Sequence, residues 1–249
     1  MFDLIGTIKK KTGLDDLFGD GMSVPKSVQD VIKFDAVYSD GIFLTGKDRY
    51  SKTFKFTDIN YAVSSKADKE ANFLRYSEIL NSLENGISSQ ITIINRKLKN
   101  SELKEIALLE KANDDKDKYR KEINDMLTMI ANGANAIVQD KYVTLTIQKK
   151  TVEEARSHFN RVGADLIAHF ARLGSKCSEL DLTERLRIIH DFCRPKESAD
   201  YHFDLRDTMQ KGQSFKDYIT PDGFEFKSDY FKIGDRFGRV LFIRDYPSY

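Results

Sequence analysis

Apolar residues recur along this chain with two different periods, and the switches between them mark out its elements. Residues 41–44 (GIFL) and 50–57 (YSKTFKFT) are rich in β-branched and aromatic types and flank a polar turn at Gly46–Arg49, which predicts a β-hairpin. From Asp68 the pattern changes: Phe73, Tyr76, Leu80 and Leu83 recur at spacings of three and four, a helical period that Asn85-Gly86 ends. Ile87, Ser89, Ile91 and Ile93 then alternate with Gln90 and Thr92, predicting a strand with one mainly apolar face. Residues 101–132 read as two helices broken at Asn113-Asp114-Asp115. Tyr119, Ile123, Met126 and Ile130 form one stripe of the second helix, opposite a dense mixture of both charge signs, and Gly133 closes it.

Residues 141–148 (KYVTLTIQ) alternate again and predict another strand. Thr151 and Glu154 form a Thr-x-x-Glu capping box, in which each side chain satisfies the other's free backbone N–H. It opens the best-defined helix of the chain, with Val152, Ala155, Phe159, Val162, Leu166, Phe170 and Leu173 on one side and Gly174 at its end. A second such start, Asp181 to Glu184, precedes Leu182, Leu186, Ile189 and Phe192, and Pro195 stops the run. FEF, DYFKIG and RVLFIRDY, between Gly223 and Tyr246, predict two or three antiparallel strands. The fold class expected is α+β: a mixed, largely antiparallel sheet with helices on one face and a protruding helical pair at about 101–132.

Composition narrows the classes. With 40% apolar and 32% charged residues in 249, the chain has enough of both for a globular core. A net charge of +1 gives no global footprint for nucleic acid. Two cysteines, Cys177 and Cys193, make no disulfide framework, and no apolar run is long enough to cross a bilayer. The N-terminus MFDLIGTIKKK lacks a signal-peptide core, so the chain is expected to stay in the cytoplasm. Residues 1–22 are set apart as a tail. Phe2, Leu4, Ile5 and Ile8 before Lys9, Lys10 and Lys11 fit a short amphipathic segment that touches a membrane surface or a partner, the alternative being a loosely packed terminus.

Catalytic signatures are not found in the sequence. No GxxxxGK[ST] occurs: Gly46-Lys47 lacks an upstream glycine in register, and Gly234-Asp235-Arg236-Phe237-Gly238 lacks the lysine. Of Cys177, His190, Cys193 and His202 only His190 and Cys193 are closely spaced, which falls short of a zinc motif. His158 and His169 sit on the well-capped helix without an HExxH pattern, there is no GxSxG elbow, and Asp114, Asp115 and Asp117 lack the glycine of an EF-hand loop. No catalytic, cofactor or metal residue is therefore assigned. The aromatic C-terminal strands, with Lys227, Lys232, Arg236, Arg239 and Arg244 between their rings, leave base stacking open beside the commoner arrangement of rings inward and charges outward.

Four segments in order along the chain carry a family resemblance: DGIFLTGKDRYSKTFKFTDINY (40–61), KYVTLTIQKKTVEEARSHFNR (141–161), ERLRIIHDFCRP (184–195) and SFKDYITPDGFEFKSDYFKIGDRFGRVLFIRDYPSY (214–249). They resemble the N-terminal domain of conjugative-transfer ATPases of the TrbE/CagE type, particularly those of Gram-positive mobile elements. In that family a RecA-like motor with the ATP and Mg sites follows this domain. The resemblance thus implies that residues 23–249 form a non-catalytic docking domain, a fragment or a truncated relative, with no cofactor of its own. It also implies other type IV secretion components as partners, at the inner face of the cell membrane. A nucleic-acid-binding adaptor and a self-assembling module (a homo-oligomer) are the rival expectations.

Overall fold

A computed structural model describes residues 27–59, 61–98, 102–103, 107–132, 137–194, 201–209 and 212–245. The chain divides into two units, Phe34–Arg185 and Met1–Lys33 with Leu186–Tyr249. The fold is α+β, and every strand pairing is antiparallel.

The larger unit is built on a six-stranded sheet. Its strands are β1 (Ala36–Val37), β2 (Phe43–Leu44), β3 (Arg49–Phe56), β4 (Ser88–Lys97), β5 (Ile137–Gln148) and β6 (Cys177–Glu179). They run in the order β1-β2-β3-β5-β4, with β6 pairing the far half of β3. The helices are α1 (Lys66–Asn81), α2 (Asp117–Asn132), α3 (Val152–Leu173) and the start of α4 (Leu182–Cys193). The hairpin expected around Gly46–Arg49 is present, with Phe43 opposite Ser51 and Leu44 opposite Tyr50. Strands β4 and β5 run longer than the alternation suggested, because each pairs the other from Ser88–Thr146 to Lys97–Ile137.

Period-two alternation gives the sheet two unlike faces. Tyr50, Phe54, Val143, Leu145 and Ile147 face α3 and meet Ala155, Phe159, Val162, Leu166, Phe170 and Leu173. This is the stripe that the sequence pattern assigned to α3. The reverse face carries Ser51, Thr53, Thr144 and Thr146, and the Thr53 and Thr144 hydroxyls bond at 2.9 Å. Thr151 caps α3 by accepting from the Glu154 N–H at 3.2 Å, but the Glu154 carboxylate turns to the Lys150 N–H at 3.3 Å, one residue before the expected reciprocal donor. At Asp181 and Glu184 the reciprocal pair is complete, at 3.0 and 2.8 Å. Gly163 lets α3 sit close to the sheet, since a Cβ there would lie 3.0 Å from the Phe54 ring.

Three charged groups are buried among the described residues of this unit: Lys52, Arg185 and Asp140. Lys52 lies on the helix-facing side of β3 and pairs with Glu179. Arg185 donates to the carbonyls of Gly41 and Ser51 at 2.6 and 2.8 Å and to the Ser51 hydroxyl at 3.2 Å, with its guanidinium 3.9 Å from the Phe43 ring centroid. Burial pulls that guanidinium down to about 9, which leaves it a cation at neutral pH.

On the polar side, Asp140 is 8% exposed and takes Lys55 at 2.9 Å and Arg96 at 2.5 Å, while Arg96 grips Glu102 with two bonds of 2.8 Å. Burial raises the Asp140 pKa, but the bonds from Lys55 and Arg96 outweigh it and hold the carboxyl below its ordinary value. The charged form is therefore favoured by folding, and its contribution is present above the ordinary carboxylate range and lost as pH falls through the lowered value. Asp140→Asn should cost about 1 kcal/mol at neutral pH, since both cations are partly exposed. Urea titrations at descending pH should find the gap between variant and wild type closing; a gap constant with pH would refute the assignment.

Several expectations are corrected. Of the stripe expected for α1, Tyr76 and Leu83 pack against the core, but Phe73 and Leu80 are exposed, because the face that meets the core runs through Tyr76, Ile79 and Leu83. Phe192 at the end of α4 is also exposed. The first half of the helical pair differs most. Residues 102–103 are helical, but 107–112 have no regular structure beyond a turn at Ala107, and the Asn124 side chain of α2 donates to and accepts from the Leu109 backbone at 2.8 Å each way, taking groups that a helix would use.

In the smaller unit, Lys216 donates to the carbonyls of Gln29 and Ile32 at 3.3 and 2.9 Å, and Arg194 to that of Thr220 at 2.6 Å. Its sheet is the meander β7 (Phe224–Phe226), β8 (Phe231–Ile233) and β9 (Arg236–Gly238). The predicted C-terminal strands are present except for RVLFIRDY, of which residues 239–245 have no regular structure.

Candidate functional site

The feature with the clearest capacity to act is the outward face of α2. Its N-terminus is fixed by carboxylates. Asp117 accepts from the backbone N–H groups of Ala112 and Asn113 at 3.1 and 3.0 Å, and Asp114 from that of Lys116 at 3.0 Å. Arg120 spans both acids, reaching Asp117 at 2.6 Å and Asp114 at 3.0 Å. The Ala112 N–H chiefly lowers the Asp117 pKa, and the Arg120 hydrogen bond that of Asp114.

Among the described residues Asp117, Arg120, Asn124, Leu127, Thr128 and Ala131 are the shielded positions of α2, a mostly polar side engaged by caps and by the Leu109 clamp. On the other side, Tyr119 is 63% exposed, Ile123 41%, Met126 52% and Ile130 59%. An ordinary surface helix does the reverse, turning its apolar stripe inward. Such a helix leaves an apolar face uncovered, and uncovered apolar faces rimmed by charge mark protein interaction sites. The stripe was legible in the sequence; its outward orientation was not, because spacing identifies a face and not what covers it.

Several other groups suited to chemistry are committed. Burial pushes both the Cys177 and Cys193 thiols up to about 11, far from a reactive thiolate. His190 packs against the Tyr201 ring, centroids 4.6 Å apart and tilted by 46°, and lies 3.3 Å from the Asp191 carboxylate. Burial, aided by Lys149, lowers the His158 pKa, so its ring is neutral at pH 7 with Glu84 3.7 Å away. Among the described residues no group of three or more His, Cys, Asp or Glu could hold a metal. A cavity of about 420 Å³ opens between α1 and the end of α3, lined by Phe56, Ile59, Phe73, Tyr76, Phe170 and Leu173. Three of its polar groups are engaged: Asp58 with Lys141, the Thr57 hydroxyl with the Lys176 N–H, and Ser175 with the Thr57 carbonyl.

Phe2, Leu4, Ile5, Ile8, Lys9, Lys10 and Lys11, the residues proposed to touch a membrane or partner, lie outside the described residues. Among the described residues no helix is long and apolar enough to cross a membrane. In the meander, Phe226 and Phe237 are exposed, but the register pairs Phe226 with Phe231 and Phe237 with Lys232, so the two rings stand on opposite faces. No protein-family model matches the chain, and no curated protein matches it.

Proposed function

We propose that the chain is a non-catalytic docking domain of the kind that precedes the motor in conjugative-transfer ATPases, and that it binds another component of a type IV secretion machine through α2. The observation that carries the reading is the inverted helix: polar side engaged, apolar stripe presented to solvent. The four segments similar to that family supply the kind of machine, with a place at the inner face of the cell membrane. The stripe fits a partner that offers an apolar groove, into which residues at helical spacing insert.

The test is calorimetric titration of the chain with the purified motor domain and inner-membrane components of a Gram-positive conjugation system. Ile123→Glu with Met126→Glu should weaken binding by at least about 100-fold, since two central apolar anchors are lost. Thermal stability should hold, because both side chains are exposed in the free chain. Unchanged affinity of the double variant would overturn the α2 assignment. Magnesium-dependent ATP turnover by the purified chain would overturn the docking role itself. Salt-dependent binding of oligothymidine would favour the nucleic-acid adaptor instead, with Phe224, Phe226 and Phe231 sharing one face of the meander.

A further inference from the structure

After β9 the chain continues as Arg239-Val-Leu-Phe-Ile-Arg-Asp245 without regular structure. Val240, Leu241, Phe242 and Ile243 are each between 70 and 86% exposed. β-Branched and aromatic residues of this kind favour a paired, extended backbone. None of the backbone groups of 240–243 is hydrogen-bonded among the described residues. An apolar, unpaired run that prolongs an edge strand is a template for another chain.

We propose that residues 239–245 are a self-recognition strand, pairing antiparallel with the same residues of a second copy about a two-fold axis through Phe242. The flanking charges select this arrangement. Centred on Phe242, Arg239 stands opposite Asp245 of the second copy, and the pair recurs by symmetry on the other side of the axis. Leu241 stands opposite Ile243, and Val240 opposite the aliphatic stem of Arg244. Moving the axis to between Leu241 and Phe242 opposes Arg239 with Arg244 twice, and parallel in-register pairing sets each arginine against its own copy. Like charges directly opposed disfavour both. Arg239 can make the exchange: its Nε donates to the Asp229 carbonyl at 3.0 Å and its Nη2 lies 3.8 Å from the Asp229 carboxylate, an ion pair exposed on both sides and so readily traded for Asp245 of the second copy. Arg244 and Asp245 are exposed as well.

The role is independent of α2, and sedimentation of the full chain over a wide concentration range tests it. The weight-average mass should rise from 28.6 kDa toward twice that value. Phe242→Asp should weaken association by at least about tenfold, through loss of the axial apolar contact and burial of a charge. Asp245→Arg should weaken it by about tenfold by opposing like charges, and adding Arg239→Asp should restore it. All three positions are exposed, so the far-UV spectrum should be unchanged. A chain that stays monomeric overturns the proposal, as does a dimer indifferent to Phe242→Asp. Failure of the charge swap to rescue overturns it too. Co-sedimentation of a monomeric chain with phosphatidylglycerol vesicles, abolished by Phe242→Asp, would also overturn it by making the run a lipid contact.

Discussion

Gly41→Ala should lower the stability of the larger unit by about 2–5 kcal/mol, the sum of a left-handed backbone penalty and a steric overlap. Gly41 has φ of 76°, and its N–H closes the turn onto the Tyr38 carbonyl at 2.9 Å. An added Cβ would lie 2.1 Å from the Leu180 carbonyl oxygen, a backbone atom that no rotamer change can move aside. The Gly41 carbonyl also receives Arg185 at 2.6 Å, so any shift of the hairpin strains the hydrogen bonds of a buried cation. Gly86→Ala is the matched control: its φ is 92° but nothing lies within 4 Å, so only the backbone penalty of about 1–2 kcal/mol remains. Urea denaturation followed by circular dichroism separates the two. Equal losses at both glycines would refute the close approach of Leu180 to the turn between β1 and β2.

Phe54→Ala should cost about 3–5 kcal/mol, the usual range for a fully buried ring. Phe54 is 0% exposed, lies opposite Val143 on the central strand pair, and rests against the bare backbone of Gly163 in α3. That contact gives the prediction a second arm. In the wild type, Gly163→Ala forces a methyl to within 3.0 Å of the Phe54 ring, and overpacking of about 1–3 kcal/mol offsets the roughly 1 kcal/mol gained in helix propensity. In the Phe54→Ala background the void accepts that methyl, although Glu179 Oε1 still lies 2.9 Å from it, so Gly163→Ala should cost less than in the wild type. Additive losses across the double-mutant cycle would exclude a direct Phe54–Gly163 contact.

The sequence reading succeeded where local chemistry and burial agree. The α3 stripe from Ala155 to Leu173 and the Val143-Leu145-Ile147 alternation were both legible, because one helix face and one strand face meet with nothing competing for them. The Asp181–Glu184 cap was legible for the same local reason. In α1 half of the stripe was legible: Tyr76 and Leu83 pack against the core, but Ile79 rather than Phe73 or Leu80 lies between them, because which flank of an apolar stripe is covered depends on the neighbour that covers it. The stretch before α2 went the same way. Its composition suits a helix, yet Asn124, fifteen residues beyond Leu109, takes its backbone groups.

The candidate site divides along that line. The sequence by itself determined that Tyr119, Ile123, Met126 and Ile130 share one helix face and that Val240–Ile243 form an apolar run, since both follow from spacing alone. Only the tertiary structure decided that these surfaces are left uncovered. A side chain's periodicity records which neighbours it keeps within its own element, whereas its exposure depends on which other elements the folded chain brings against it.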